Sequence, residues 1–440
     1  MKTLLSERET CFLTNRKGSS AILLAIVFVF LMLAVMTAVG IARRMVVNSE
    51  CRVFGNIWTK AALSEYDRFL LEDYGILAYQ GPDFEVEDKL NIYLDSSVSI
   101  LPGTSVGSIH ADLSGYEMSN PRNFKKAISR NAAFTSIDGL LSGEGRSRRT
   151  GDGEPEDKVI RNQVVLDTLP SAGAGNSYAV AEIVAFLEEG SVREYVMSKV
   201  VGAAVEMNFI RHYFNSHLFV ATDLPAYYTN EWEYVIGGKT SDSANLKICR
   251  RRIFLIRNAL NYAYLSKDAE KQALLTGVAE LITPGPASLV TKSLITEAWA
   301  AAEAEYDVQT LLDGKRVPLM KTDATWHTDI NGLLRSKEIT GHLDEESKEL
   351  LEEHAGEISE MPAGHGAASE VLDGQTYEDY LLILLLAMNE DVRLLRMMDI
   401  VQINMKYRYY SDFNFEEYYD GVRFNVKVNG KYYEFEETYR

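Results

Sequence analysis

The most regular hydrophobic pattern lies near the N-terminus. From Gly18 to Ala42 no residue is charged, and Ala21 to Ala38 is apolar apart from Thr37. A helix needs about 20 apolar residues to cross a hydrocarbon core, so residues 18–42 are expected to form a transmembrane helix, with residues 1–17 as a short tail. The competing reading is a cleaved secretory leader cut near Ala38-Val39-Gly40. Leader apolar regions run about 7–15 residues; this run is longer and its pattern continues past Arg43-Arg44, which favours an uncleaved anchor. Lys2, Arg8, Arg16 and Lys17 nearly balance Arg43, Arg44 and Arg52 on the other side, so charge alone sets no orientation.

Beyond the anchor, Val46, Val47, Val53, Phe54, Ile57, Leu63, Phe69 and Leu70 recur at spacings of three and four. This predicts a juxtamembrane helix in residues 43–78, closing at Tyr74-Gly75 and weakened inside only by Gly55. Residues 79–141 read as mixed. Ile92-Tyr93-Leu94, Val98-Ser99-Ile100 and Ser108 to Leu113 suggest strands, and 123–141 a helix. Residues 142–176 are expected to be a flexible linker, because Ser142 to Glu156 is dense in Gly, Ser and charge.

Residues 177–355 read as helical, interrupted at Thr229 to Ser243 and at Pro284-Gly285-Pro286, and 356–375 as a loop. The last region, 376–440, opens with a capping box at Thr376 and Asp379. Its apolar block Leu381 to Met388 is too short to span a bilayer and is assigned to the core. Alternating residues on both sides of Asn429-Gly430 predict a C-terminal β-hairpin. The fold class is therefore α+β and predominantly helical, with a long N-terminal helix and a small antiparallel β portion.

Composition narrows the partners. The chain has 440 residues, 46% apolar and 25% charged, which is globular rather than disordered. A net charge of −18 without a compensating basic stripe argues against nucleic acid; Arg250-Arg251-Arg252 reads as the solvated face of a helix. The 24 tyrosines suit half-exposed faces and interfaces. Cys11, Cys51 and Cys249 lack metal or disulfide spacing. Cys51 and Cys249 would share one side of the membrane, with unpaired thiols the preferred reading.

Several short motifs touch on chemistry. Gly237-Gly238-Lys239-Thr240 resembles the end of a phosphate-binding loop, but Glu233 stands where that loop needs its first glycine, and a carboxylate there repels phosphate. Gly103-Thr104-Ser105-Val106-Gly107 fits a nucleophile elbow in letters, yet strand-like residues follow where a helix is required. His212 and His217, five apart, fall on different faces of a helix. The acidic run Asp152 to Asp157 lacks calcium-loop spacing and reads as linker. Asp399, in an apolar helical stretch, calls for a partner such as Arg393 or Arg396. No catalytic, cofactor-binding or metal-binding residue is assigned, and no cofactor or small-molecule ligand is expected.

Several blocks in order resemble DUF5702, a family of Gram-positive envelope proteins of unknown function. They are Arg16-Lys17-Gly18-Ser19 with the anchor, Ala62 to Gly75, Glu231 to Lys239, Glu297 to Lys315, and Tyr377 to Met405. The resemblance implies a protein similar to pseudopilin-like components of tight-adherence (Flp) pilus and type II or IV secretion loci. It supplies no catalytic residues. Such relatives often carry Glu five residues after the processed glycine; counted from Gly18 that place is Leu23. The expected function is a non-catalytic, single-pass structural or assembly component of a pilus or secretion apparatus. Its N-terminus would be cytoplasmic and its bulk extracytoplasmic, in contact with the bilayer and with other pilin-like or secretion-system subunits through the N-terminal helix. The alternative is a membrane-tethered hydrolase or ligand-binding protein.

Overall fold

The computed structural model describes residues 16–98, 104–130, 147–148, 166–175, 179–360 and 374–439. The chain divides into two compact units, and the fold is α+β and predominantly helical.

The first unit joins the N-terminal residues to the C-terminus. Helix α1 (Arg16–Leu63) is exposed on every side through its apolar part, from Ser20 to Val46. Further on, one face becomes buried: Cys51, Gly55, Trp58, Thr59 and Ala62 recur at helical spacing. Helix α3 (Asp83–Val98) and the hairpin strands β2 (Gly421–Val428) and β3 (Lys431–Thr438) cover that face. Strand β1 (Val106–Ala111) completes an antiparallel sheet in the order β1-β2-β3. Asn429 and Gly430 both have positive φ, 49° and 81°, the pair of conformations a two-residue hairpin turn requires.

Gly55 is more than a weak point in α1. A Cβ there would lie 2.2 Å from the Phe435 ring, so glycine lets the hairpin close directly on the helix backbone. Trp58 donates to Ser97 Oγ at 3.2 Å, the Tyr439 hydroxyl to Leu63 O at 2.6 Å, and Tyr433 hydrogen-bonds Asn48.

Two expectations fail in this part of the chain. The juxtamembrane helix does not run unbroken to Tyr74. It ends at Leu63, and helix α2 (Arg68–Tyr74) starts afresh in the second unit. Asp67 adopts an extended conformation and its carboxylate caps the Leu70 amide at 3.0 Å; a new helix start at that point outcompetes propagation. Gly75 does close α2 in the left-handed conformation, at φ 66°. The strand reading of Ile92-Tyr93-Leu94 is also wrong, because those residues lie in α3. Val86, Leu90 and Leu94 are all buried, four apart, so the helical period outweighs local β-propensity. Of the strand expected at 98–100, Val98 ends α3, and residues 99–100 lie outside the described residues.

The second unit is built from helices around two apolar cores. One gathers residues of α2, α4 (Pro121–Arg130), α5 (Val180–Glu189), α6 (Val192–Tyr213), α7 (Glu231–Gly237), α8 (Asp242–Lys267), α11 (Tyr377–Leu386) and α12 (Glu390–Arg408). The other, centred on Trp299 and Trp326, lies among the end of α8, α9 (Ala269–Ile282), α10 (Ser288–Leu312) and short helices between Ile330 and Glu360. Helix α11 is buried along its whole length, and the capping box at Thr376 and Asp379 is present.

Part of the expected linker is packed. Leu166, Leu169 and Ala174 lie on the first core, and α12 grips the backbone between them. Gln402 donates to Thr168 O at 2.9 Å and Lys406 to Asp167 O at 2.9 Å. Residues 149–165 lie outside the described residues. So do 131–146, into which the helix expected at 123–141 extended, and most of the loop expected at 356–375; Ala355–Glu360 is helical. The interruption at 229–243 contains the two-turn helix α7, whereas Pro284-Gly285-Pro286 does separate α9 from α10.

Candidate functional site

The motif-bearing residues are placed by helix ends and turns. Gly238 caps α7 in the left-handed conformation at φ 62°, its amide donating to Tyr234 O at 2.7 Å. Asn245 accepts from the Lys239 amide at 2.8 Å and donates to the Lys239 carbonyl at 2.9 Å. A Cβ at Gly237 would meet Asn245 Oδ1 at 2.5 Å, and one at Gly238 the Arg396 guanidinium at 2.7 Å. The glycine pair thus ends one helix and admits two clamping side chains. A phosphate loop instead leads directly into a helix with free amides facing the ligand. Lys239 itself is exposed.

Helix α7 carries the densest buried chemistry in the second unit. Glu231 accepts from the Asn215 amide at 2.6 Å and from Asn404 Nδ2 at 2.6 Å. Glu233 accepts from the His217 amide at 3.1 Å and the Tyr377 hydroxyl at 3.0 Å through one oxygen, while its other oxygen has no donor. Burial pushes both carboxyls up to about 7. Asp399 accepts from the Ser171 amide at 2.9 Å and the Tyr234 hydroxyl at 3.0 Å, and burial raises it to about 6. Of the arginines expected beside Asp399, Arg396 lies near enough for its charge to act to lower that carboxyl, but it gives its hydrogen bonds to the carbonyls of Val235 and Ile236 at 3.0 and 2.8 Å; Arg393 donates to those of Leu385 and Met388 at 3.1 and 3.3 Å. Helix-terminal carbonyls need donors as much as a carboxylate does. These three acids hold loops and helix ends in place.

A second polar cluster ties α8 and α10 to the segment after α10. Buried Arg257 pairs with Asp307 at 2.8 Å, and Lys321 bridges Glu303 at 2.5 Å and Asp307 at 2.7 Å. Glu303 also accepts from the His327 and Thr328 amides at 3.1 and 2.8 Å. Burial acts to raise the Asp307 carboxyl, but Arg257 and Lys321 together hold it below its ordinary value. With its charges paired internally, the cluster is built as a brace.

Ser105 lies at the start of β1, exchanging backbone and side-chain hydrogen bonds with Asn429 of the hairpin turn at 2.8 to 3.3 Å. It is not on a strand-to-helix turn; Gly103 lies outside the described residues, as does the acidic run 152–157. His212 ends in α6, but His217 lies beyond that helix, which stops at Tyr213, so the two do not share a helix. Cys51 and Cys249 are both free and buried, with burial raising both thiols; Cys11 lies outside the described residues. Among the described residues no group of His, Cys, Asp or Glu is arranged to hold a metal ion.

Two open grooves mark the surface of the second unit. One, of about 490 Å³, is lined by Leu246, Lys247, Arg250, Arg251, Phe254 and Glu305; Arg250 pairs with Glu305 at 2.8 Å. The other, of about 650 Å³, is lined by Leu334, Arg335, Lys337, Leu351 and Ile358. Ser105 and Lys239 line neither. The basic triplet is only partly a solvated face, because Arg252 donates to Ile236 O at 3.0 Å.

The sequence profile of a family of unknown function, DUF5702, matches residues 153–430. The chain belongs to the DUF5702 family. The matched region holds three of the resembling blocks, from Glu231, Glu297 and Tyr377 onward, while the apolar N-terminal helix and Ala62 to Gly75 precede it. No curated protein and no solved structure matches the chain. Within the DUF5702 region the blocks from Glu231 and Tyr377 meet physically. Asn404 of α12 donates to Glu231 of α7, accepts from the Tyr227 amide at 2.9 Å, and donates to the Tyr74 hydroxyl at 3.1 Å. Asp73 receives Arg408 at 2.8 Å, so Ala62 to Gly75 sends its last residues into the same hub. Sequence reading missed this hub because Glu231, Asn404 and Tyr74 lie far apart along the chain; the blocks' own polar residues, in apolar surroundings, were the available signal.

Proposed function

We propose that this DUF5702 protein is a membrane-anchored structural or assembly component of a cell-envelope apparatus of the pilus or secretion kind. Its tail is cytoplasmic, its folded body is extracytoplasmic, and its role is non-catalytic. The observation that carries the reading is α1. It is long and apolar enough to cross a membrane, and among the described residues nothing covers its apolar part. A helix apolar all round is stable in lipid or inside protein, not in water. The same helix enters the first unit without a break, so the anchor and that unit would move as one piece.

The non-catalytic role rests on the buried acids being engaged in holding backbone, and the envelope apparatus on the resemblance of the blocks. The test is fractionation of cells making the full-length protein, with alkaline carbonate and then detergent. Release by carbonate alone of the intact chain would sink the proposal. Labelling of Lys239→Cys, but not of Ser6→Cys, by an impermeant thiol reagent on intact cells is the expected orientation; the reverse pattern overturns it.

A further inference from the structure

Strand β3 runs along α1 and keeps step with it. The Tyr439 hydroxyl meets Leu63 O, the Phe435 ring lies over Gly55, and Tyr433 hydrogen-bonds Asn48. From Tyr439 to Phe435 the strand moves by four residues while the helix moves by eight, from Leu63 to Gly55. That is close to the ratio set by about 3.3 Å per strand residue and about 1.5 Å per helix residue. The hairpin turn therefore points along α1 toward its apolar part. Continued from Gly55 at the same ratio, Lys431 comes level with about residue 47 and Gly430 with about residue 45.

Arg43 and Arg44 are the first charges after the apolar run. As a helix that run, Gly18 to Ala42, is about 37 Å long, so it fills a hydrocarbon core of about 30 Å and carries its end into the headgroup layer. The turn of the hairpin thus lies within about one helical turn of the headgroups. With α1 in the membrane, the lipid surface is already beneath it.

The side chains at the turn suit that depth. Lys427, Asn429, Gly430, Lys431 and Tyr432 are exposed, Tyr432 by 66%. Lys427 Nζ stands 5.2 Å from the centre of the Tyr432 ring, and Lys431 Nζ 5.0 Å from that of Tyr433. Among the described residues neither lysine pairs with a carboxylate. The acids that follow on the same two elements, Glu434 on β3 and Glu50 on α1, lie farther from the apolar span than the turn does. In a chain of net charge −18, this end of the first unit presents Arg43, Arg44, Lys427 and Lys431. Tyrosine belongs at a membrane–water boundary because its ring is apolar and its hydroxyl polar, and lysines near a membrane surface are drawn to anionic lipid.

We infer that the β2-β3 turn, through Lys427, Lys431 and Tyr432, rests on anionic lipid headgroups of the membrane that α1 crosses, giving the first unit a second point of attachment beside its helix. This inference rests on the anchor reading and adds the contact and its chemistry.

The test uses the full-length protein in a Cys11→Ser background that keeps the two buried cysteines, labelled with a fluorophore at Tyr432→Cys. Ser64→Cys, exposed and about 30 Å farther along α1 than Arg44, is the control. The protein is placed in vesicles of phosphatidylcholine, with or without an equal part of phosphatidylglycerol, containing a lipid with a nitroxide on its headgroup. Quenching at position 432 is expected to be severalfold that at position 64 and to be larger with phosphatidylglycerol. Lys427→Gln with Lys431→Gln is expected to remove the gain from phosphatidylglycerol. Quenching no greater at position 432 than at 64, or equal in the two compositions, would overturn the inference. So would a label unquenched in vesicles at a site that native membranes shield from an impermeant thiol reagent, since another protein would then cover the turn. Carbonate-resistant retention of the same variants in native membranes reads the anchor separately, so either reading can fail alone.

Discussion

Helices α1 and α11 are both runs of apolar residues, and they end in opposite surroundings. Ser20 to Val46 of α1 is exposed, with no cover among the described residues, whereas every residue of α11, Tyr377 to Leu386, is buried. Apolar composition says only that water is a poor solvent for the segment. Length and neighbouring residues decide which other medium receives it. The span in α1 is long enough to cross lipid. Helix α11 is ten residues long and begins with Tyr377, Glu378 and Asp379, polar groups that need hydrogen-bonding partners which a protein interior supplies and a bilayer core does not.

The comparison is sharpened most by putting a charge into each helix. In α11, Leu384→Asp would bury an unpaired carboxylate, at a cost expected to exceed about 4 kcal/mol; loss of the folded second unit, read by near-UV circular dichroism, is the expected outcome. A soluble, cooperatively melting variant would mean that α11 is less enclosed than described. Arg257→Met removes the cation that pairs Asp307 and touches the Tyr380 hydroxyl of α11 at 3.2 Å. Breaking one side of such a buried pair costs about 3–5 kcal/mol, measurable as a fall in the denaturation midpoint of the detergent-solubilised protein.

In α1, Val29→Lys is expected to impair insertion by about 2.5–3.5 kcal/mol and to leave the melting of the folded body unchanged, seen as a larger carbonate-extractable fraction. Gly55→Ala tests where α1 passes from its uncovered part to its packed part. Its added Cβ collides with Phe435, and overpacking of this kind costs about 1–3 kcal/mol in the stability of the first unit while membrane retention stays normal.

The last prediction is a slope with pH. The Glu233 carboxyl, bonded to Tyr377 of α11, is raised from 4.5 to about 7, so the folded state holds its proton more tightly than the unfolded state does. Its contribution is fully present below about 4.5 and is lost as pH rises to about 7, after which it is flat. Glu233→Gln, which stays neutral, should lose less stability than the wild type between those values; parallel pH profiles would refute the assignment.

Most of the local structure was legible in residue patterns. The long apolar N-terminal helix, the Asn429-Gly430 hairpin, the capping box at Thr376 and the core assignment of Leu381 to Met388 each depend on a few neighbouring residues. The misreadings came where neighbours conflict. Ile92-Tyr93-Leu94 has β-propensity locally but joins a helix through Val86, Leu90 and Leu94. Asp67 restarts a helix inside an apolar period that runs straight through it. Leu166 to Ala174, next to a charged and glycine-rich stretch, is docked because α12 offers Gln402 and Lys406 to its carbonyls.

The linear sequence by itself determined what depends on short-range order: an uncharged span long enough for lipid, helix caps, the hairpin turn, and the family to which the blocks belong. Tertiary structure decided what depends on distant partners. It explains Gly55 by Phe435, turns Gly237-Gly238-Lys239 into a helix end held by Asn245 and Arg396, and gathers Tyr74, Glu231 and Asn404 into one hub. The physical reason is that periodicity and capping act between residues a few positions apart, whereas burial of a carboxylate or a glycine's close contact exists only once remote segments have met.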